Sequence, residues 1–502
     1  ASSLALILYT ELILILLNAF DITLTLPGIA GIILGIGMAV DANVIIFARV
    51  KEELTAGKSV HASLKSGFQK AMSAIVDGNI TTLIAAGVLW LRGSGTVKGF
   101  AQTLALGIVV SMFTALVITR LIIFAFYGAG IHNEKVYGRH LKERKPVDFL
   151  GKKKIFFVIS IILCLAGPVM MGVNHARGIG AMNYSLDFVG GTSTNVTFDK
   201  EYTLEEIDSQ MIPSLEEITG DKNIQVQTVK DSNQVVFKTQ TLDLEKREAL
   251  ASYLNENYGV EASDIATENI SSTVSSEMRR DAVIAVIIAT ICMLLYIWFR
   301  FKDIRFATSA VVALMHDVLV VLGFYVIARV SVGNTFIACM LTIVGYSING
   351  TIVIFDRIRE ALATKSRTED LKDLVNRCIT QTLTRTIYTN FTTFVMVVAL
   401  YILGVSSIKE FAAPLMVGII CGGYTSVCIT GALWYVMKTR LGEEAKAARA
   451  ASGTKTVSVK AADKKEGTTS TESNAADTSA DDSSKKKKGK KTSFKNKKSK
   501  KR

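Results

Sequence analysis

GMAVDANVIIFARVKEE, from Gly37 to Glu53, returns as GYSINGTIVIFDRIREA from Gly345 to Ala361, 308 positions later. Each copy sets polar residues inside an apolar run and closes it with basic ones. A polar side chain in the middle of a membrane helix costs energy unless it faces a partner. The duplicated polar helix therefore reads as two halves of one intramembrane site, an arrangement of transporters rather than of soluble enzymes.

Working outward from that pair, hydrophobic residues make up 49% of the 502-residue chain. They cluster into runs of roughly 18–25 residues, enough to cross a hydrocarbon core of about 30 Å. Ten such runs are read: Leu4 to Phe20, Pro27 to Ala48, Ala71 to Leu91, Phe100 to Tyr127, Ile155 to Val173, Asp281 to Phe299, Phe306 to Ala328, Thr335 to Phe355, Thr384 to Gly404 and Phe411 to Met437. The expected fold is a polytopic α-helical membrane protein with a pseudo-two-fold repeat. The first run opens almost at Ala1 with no methionine and no basic flank, so the sequence is expected to begin inside a longer natural one.

Basic residues concentrate in Arg49 to Lys70, Lys135 to Lys154, Arg300 to Arg305, Arg357 to Arg377 and the tail after Lys438. By the positive-inside rule these mark the cytoplasmic side, which puts both chain ends in the cytoplasm and Asn174 to Arg280 outside. The net charge is +13, and Lys485 to Arg502 alone carries twelve basic residues and no acidic ones. The body is thus nearly neutral. The tail from about residue 441 is polar, expected to be disordered, and suited to anionic lipid headgroups rather than to a specific nucleic acid.

None of the six cysteines falls between Asn174 and Arg280, and no cysteine-histidine spacing reads as a metal site. No metal and no cofactor is expected. There is no Gly-rich phosphate loop ending in Gly-Lys-Ser/Thr, so energy for transport would come from an ion gradient or a partner ATPase. The chain is not expected to be an enzyme.

The repeat extends past the opening pair. Asn79, Thr81 and Thr82 match Asn390, Thr392 and Thr393, while Lys98, Phe100, Ala101 and Gly107 match Lys409, Phe411, Ala412 and Gly418, all at an offset of 311. Both copies run in the same sense, which is a parallel repeat about an axis along the membrane normal. The predicted units are residues 1–145 with four helices, 146–440 with six, and the tail 441–502.

Residues 174–280 read as a small extracytoplasmic α+β domain. Strands are predicted over Thr192 to Phe198, Ile224 to Val229 and Gln234 to Thr239, with a turn at Asp231-Ser232-Asn233. Thr203 and Glu206 form a capping box, the helix after it breaks near Pro213, and a second helix from Leu242 to Tyr258 closes at Gly259. Such a unit exposes a sheet edge or face suited to extended polypeptide.

Three stretches carry a family resemblance: LTLPGIAGIILGIGMAVDANVIIFARVKEEL at Leu24 to Leu54, SLDFVGGT at Ser185 to Thr192, and VGYSINGTIVIFDRIRE at Val344 to Glu360. The chain resembles the fused SecD and SecF proteins, accessory units of the bacterial Sec translocon. The resemblance implies kinship with resistance-nodulation-division transporters and a role in drawing exported proteins outward with the proton gradient. It implies a bacterial cytoplasmic membrane location, and as partners a SecYEG-type channel, indirectly a SecA-type ATPase, YajC- and YidC-type membrane proteins, and exported polypeptides. Two departures stand out. The large extracytoplasmic domain of a SecD half is not in this sequence, and the family's Asn-Asp-Thr reads here Asn349-Gly350-Thr351.

Four residues are candidates for a proton pathway. Asp41 lies mid-helix in an apolar run, where its carboxyl either carries protons or merely bonds a neighbouring helix. Arg385 matches the basic residue that faces the paired carboxylates in the family, or is a snorkelling interfacial arginine. Asp77, in Asp77-Gly78-Asn79, extends the pathway or bonds a nearby polar group. Asp317, beside His316, compensates for Gly350 or bonds Asn349 or Ser347. Two other readings stay open: a scaffold of the translocon without proton coupling, and an efflux pump of the same superfamily. Arg49 and Asp356-Arg357 read as interfacial anchors, and Gly31 and Gly35 as a close helix contact.

Overall fold

The structure, a computed structural model, describes residues 1–440 except 94, 139–144, 222–223, 229–231, 367–368 and 405. The tail and the Asp231 turn lie outside the described residues. Among those described, ten helices are long and apolar enough to cross a membrane. The first five are α1 (Ser2–Ala19), α2 (Leu26–Thr55), α3 (Val60–Arg92), α4 (Val97–Gly128) and α5 (Lys153–Ala176). A small mixed region follows, with β1 (Gly191–Thr197), α6 (Leu204–Gln210), α7 (Ile212–Thr219), β2 (Gln225–Thr228), β3 (Gln234–Thr239), α8 (Leu244–Tyr258) and β4 (Ile265–Ile270). The remaining five are α9 (Ser272–Phe301), α10 (Ile304–Ile327), α11 (Asn334–Ala363), α12 (Leu371–Leu403) and α13 (Ile408–Arg440).

The two opening motifs lie on α2 and α11, and each packs across the boundary between the repeats, α2 against α12 and α11 against α3. Small residues permit this. A Cβ on Gly37 would meet the side chain of Thr393 at 3.5 Å, and one on Gly345 would meet Thr82 Cα at 3.1 Å. These are repeat-equivalent contacts. The repeat-equivalent rings of Phe100 and Phe411 pack edge to face with centroids 5.4 Å apart, both fully buried. The last helix of each repeat also carries a π-helical turn, Thr114–Ile118 in α4 and Thr425–Thr430 in α13, again 311 positions apart. The spacing of Gly31 and Gly35 serves the expected close contact: a Cβ on Gly31 would stand 2.7 Å from Thr103 Oγ1 of α4, and one on Gly35 would collide with the Tyr9 hydroxyl of α1.

Asp148, in the segment before α5, ties that segment to α12. Its carboxylate accepts bonds from the Gly151 amide at 2.8 Å, Asn376 Nδ2 at 2.8 Å and Lys372 Nζ at 3.1 Å. The Gly151 N–H, then Lys372 and Asn376, hold its carboxyl below the usual aspartate range.

The mixed region has one more strand than the sequence reading gave. The antiparallel sheet runs β2-β3-β1-β4, and β4 pairs with β1 from Gly191↔Ile270 to Val196↔Ile265. IATENI shows no clean alternation because β4 is an edge strand exposed along most of its length. The capping box forms as expected: Glu206 bonds the Thr203 amide at 2.8 Å, which holds its carboxyl below the usual glutamate range. The helix break falls at Met211, just before Pro213, and α8 is capped by Asp243 and ends at Gly259 with φ 68°. Val196, Phe198, Ile207, Leu215, Phe237 and Leu254 form its core. Gly190 and Gly191, with φ 81° and 135°, turn the chain into β1 where a Cβ on Gly190 would meet Ser272 Cα at 3.0 Å.

Candidate functional site

Asp41 is 3% exposed. It faces α12, whose Thr392 Oγ1 donates to Asp41 Oδ1 at 3.1 Å and whose Thr393 Oγ1 donates to Oδ2 at 3.3 Å. Arg385 sits two turns earlier on that helix, so Arg385, Thr389, Thr392 and Thr393 share a face at helical spacing. That face opens onto a small cavity of about 20 Å³, lined by Asp41, Tyr346, Asn349, Gly350, Arg385 and Asn390 among others. Its walls come from α2, α11, α12 and α13, two of which carry the repeated motif.

Arg385 Nε and Nη2 are buried with no hydrogen-bond partner, and so is Asn349 Oδ1. Asn349 is the repeat equivalent of Asp41. One side of the cavity thus carries a carboxylate satisfied by two hydroxyls, and the other carries guanidinium donors and an amide oxygen that nothing saturates. Buried donors left unmade are costly, which marks this as a place where function outweighs stability. An arrangement of this kind can hold an ion or a mobile proton between a fixed positive and a titratable negative group.

Gly350 closes the wall facing α13. A Cβ there would stand 2.7 Å from Ser426 Oγ, whose hydroxyl donates to the Gly422 carbonyl at 2.6 Å. A side chain at this position would need Ser426 to shift. Gly350→Asp alone is expected to lower the thermal midpoint, and adding Ser426→Ala should recover part of the loss by removing the Oγ contact. Thermal unfolding of the four proteins in detergent checks this. Thr351 turns to α13 instead, 3.5 Å from Thr430 Oγ1.

The other two candidates lie apart from Asp41. Asp77 accepts bonds from Tyr296 Oη at 2.9 Å, Arg300 Nε at 2.7 Å and Ser73 Oγ at 3.2 Å, so it joins α3 to α9. Its neighbour Gly78 lets α11 approach, since a Cβ there would collide with Asn349 Oδ1. Asp317 is fully buried and bonded to Ser347, as one of its two readings expected, and also to His316, Cys421 and Thr425.

Several partners were not foreseen. Arg300 reaches from Asp77 toward Asp356 at 3.9 Å, and Arg49, which is 4% exposed, reaches Glu360 at 3.4 Å and Asp356 at 3.9 Å across the repeat boundary. Arg49 and Asp356 are buried, and with the more exposed Arg300 and Glu360 they form a charge network between the repeats. His316 and Cys421, 105 positions apart, meet at 3.8 Å. With Asp317 they bring three ligand-type atoms within 4.8 Å of one another, which no sequence spacing announced.

Two parallel repeats of membrane helices around a shared buried polar cavity define a multi-pass membrane protein of transporter architecture. The chain belongs to the family described as protein export membrane protein SecD/SecF, C-terminal, which it matches over residues 2–128 and 250–440. It is 36% identical over 460 residues to protein translocase subunit SecDF of Bacillus subtilis, covering 87% of this chain and 60% of that protein. It is also 36% identical over 309 residues to protein translocase subunit SecF of Calditerrivibrio nitroreducens, covering 60% of this chain and 96% of that one. The crystal structure of SecDF from Thermus thermophilus, described as a translocon-associated membrane protein, superposes with a TM-score of 0.77 at 36% identity, covering 87% of this chain and 58% of that one. The chain therefore spans about three fifths of the length of the SecDF relatives it matches. The fused SecD and SecF character expected from the three motifs agrees with these likenesses.

Proposed function

We propose that this chain is the membrane part of a Sec translocase accessory subunit that promotes protein export across the bacterial cytoplasmic membrane, driven by protons passing the Asp41 and Arg385 cavity. The observation that carries the reading is the meeting of Asp41 and the unpartnered Arg385 nitrogens on one cavity between the repeats. An ionised Asp41 accepts both threonine hydroxyls. A protonated carboxyl is itself a donor and gives up at least one of them, which loosens the seam between α2 and α12 at Gly37 and Thr393. Arg385 favours the ionised form and so resets the seam after each proton leaves.

In this reading both chain ends and the Arg49 end of the bundle face the cytoplasm, the sheet region lies outside, and the seam's movement is passed to it. The partners are a SecYEG-type channel, YajC- and YidC-type membrane proteins, a SecA-type ATPase indirectly, and the exported polypeptide, with the tail's lysines on anionic lipid. The residues act by binding and moving protons, with no covalent catalysis. Asp41→Asn in the full-length protein, at fixed expression, is expected to abolish the proton-gradient dependence of export into vesicles. Export that keeps its gradient dependence would remove Asp41 from the mechanism.

A further inference from the structure

A second buried polar cluster lies between α10, α11 and α13. Asp317, 0% exposed, accepts from Thr425 Oγ1 at 2.5 Å, from His316 Nδ1 at 3.0 Å and from Cys421 Sγ at 3.1 Å on Oδ1, and from the Ser347 hydroxyl on Oδ2. The other imidazole nitrogen of His316, Nε2, is buried with no partner. The titratable groups that face the pair from the packed helices are Cys421 and Tyr424 of α13 and Cys164 of α5. Among the described residues, His316 is the basic side chain within ion-pair reach of Asp317.

The repeat shows that packing does not demand a carboxyl here. The residue 308 positions before Asp317 is Tyr9, whose hydroxyl is buried against Gly35 and Gly107 and bonds nothing. The first half fills the same slot with a phenol, and its acid facing the cavity, Asp41, stands on α2. The second half has no acid on α11 at Asn349-Gly350, and its acid stands on α10 instead. Ser347 connects the two places, because it bonds Asp317 and also lines the cavity that holds Asp41 and Arg385.

We propose that the His316 and Asp317 pair is a second proton-binding site, exchanging protons with the Asp41 cavity through the Ser347 hydroxyl. The proposal rests on the proton-coupled reading of that cavity. A hydroxyl can accept and donate at once. A hydronium ion in the cavity gives a proton to Ser347 Oγ as the serine's own proton passes to Asp317 Oδ2. One O–H bond breaks on the hydronium, which becomes water, one forms and one breaks on serine, and one forms on the carboxyl, so one positive charge moves and no electrons are transferred. The proton then rests on Asp317 Oδ2, while the Nδ1–H of His316 goes on donating to Oδ1 of the same carboxyl. Ser347 is a positioning residue in this scheme, since its hydroxyl relays and does not store the proton.

Infrared difference spectroscopy after a pH step, on the full chain in lipid nanodiscs, tests this. Subtracting the Asp317→Asn spectrum from that of the unaltered protein is expected to leave a carboxyl or imidazole signal distinct from the one that Asp41→Asn removes. Ser347→Ala should slow the appearance of the Asp317 signal on the order of a hundredfold while leaving the Asp41 signal in place. An Asp317→Asn protein spectrally identical to the unaltered one overturns the site, and unchanged kinetics in Ser347→Ala overturns the route. Should Asp317→Asn fail to fold, the protonation signal that remains in Asp41→Asn takes its place: no such signal overturns the site, and one whose kinetics Ser347→Ala leaves unchanged overturns the route. Gradient-dependent export that survives Asp41→Asn would fault the coupling reading separately, because a persisting Asp317 signal still establishes the second site.

Discussion

Replacing Arg300 with methionine is expected to destabilise the protein by about 3–5 kcal/mol, the usual cost of removing one partner from a buried ion pair. Asp77 is 7% exposed and would keep only Tyr296 and Ser73 as donors, with no positive charge beside it. Asp77→Asn should cost less, since Arg300 is 21% exposed on its side chain and can turn toward solvent or Asp356. The double variant Asp77→Asn with Arg300→Met should recover most of the loss, because it leaves no lone charge. Unfolding free energies in mixed micelles check the order. An Arg300→Met protein within about 1 kcal/mol of the unaltered one would show that this pair behaves like an exposed ion pair and does not join α3 to α9.

Arg385→Leu is expected to give the opposite balance of effects. Two of its guanidinium nitrogens are buried without hydrogen bonds, so removing them forfeits no bond and relieves unmade ones. The thermal midpoint should stay within a few degrees of the unaltered protein. Gradient-dependent export in the full-length protein should fall to the level seen with the gradient collapsed, since Asp41 would lose the charge that restores its ionised form. A variant that loses both stability and export would mark Arg385 as a structural residue, and one that keeps export would remove it from the site.

The architecture was legible because a duplication writes itself twice. The offset of 311 identified Phe100 with Phe411, and the structure places these rings in contact. The meeting of Asp41 with Arg385 was legible through the family motif alone, as nothing in a linear chain ties positions 41 and 385. Thr392 and Thr393 were visible as repeated residues, but their role as donors to Asp41 needed the packing of α2 on α12. Asp77 was ambiguous because its partner Arg300 stands 223 positions away in a separate helix. Gly350 read as a missing acid, and only the packing of α11 on α13 shows the Ser426 hydroxyl standing where a side chain there would begin. The strand β4 escaped notice because an exposed edge strand lacks the alternation that burial imposes.

The packing of α2 on α12 has a kinetic consequence for biosynthesis. Thr392 is made 351 residues after Asp41. At about 5–20 residues per second of synthesis, Asp41 spends about 18–70 s without the hydroxyls that satisfy it in the finished protein. A chain that must store a membrane carboxyl for that long needs it held near water or by another segment until α12 arrives. The repeat boundary is therefore a late step of assembly, set by the ribosome's pace as much as by helix packing.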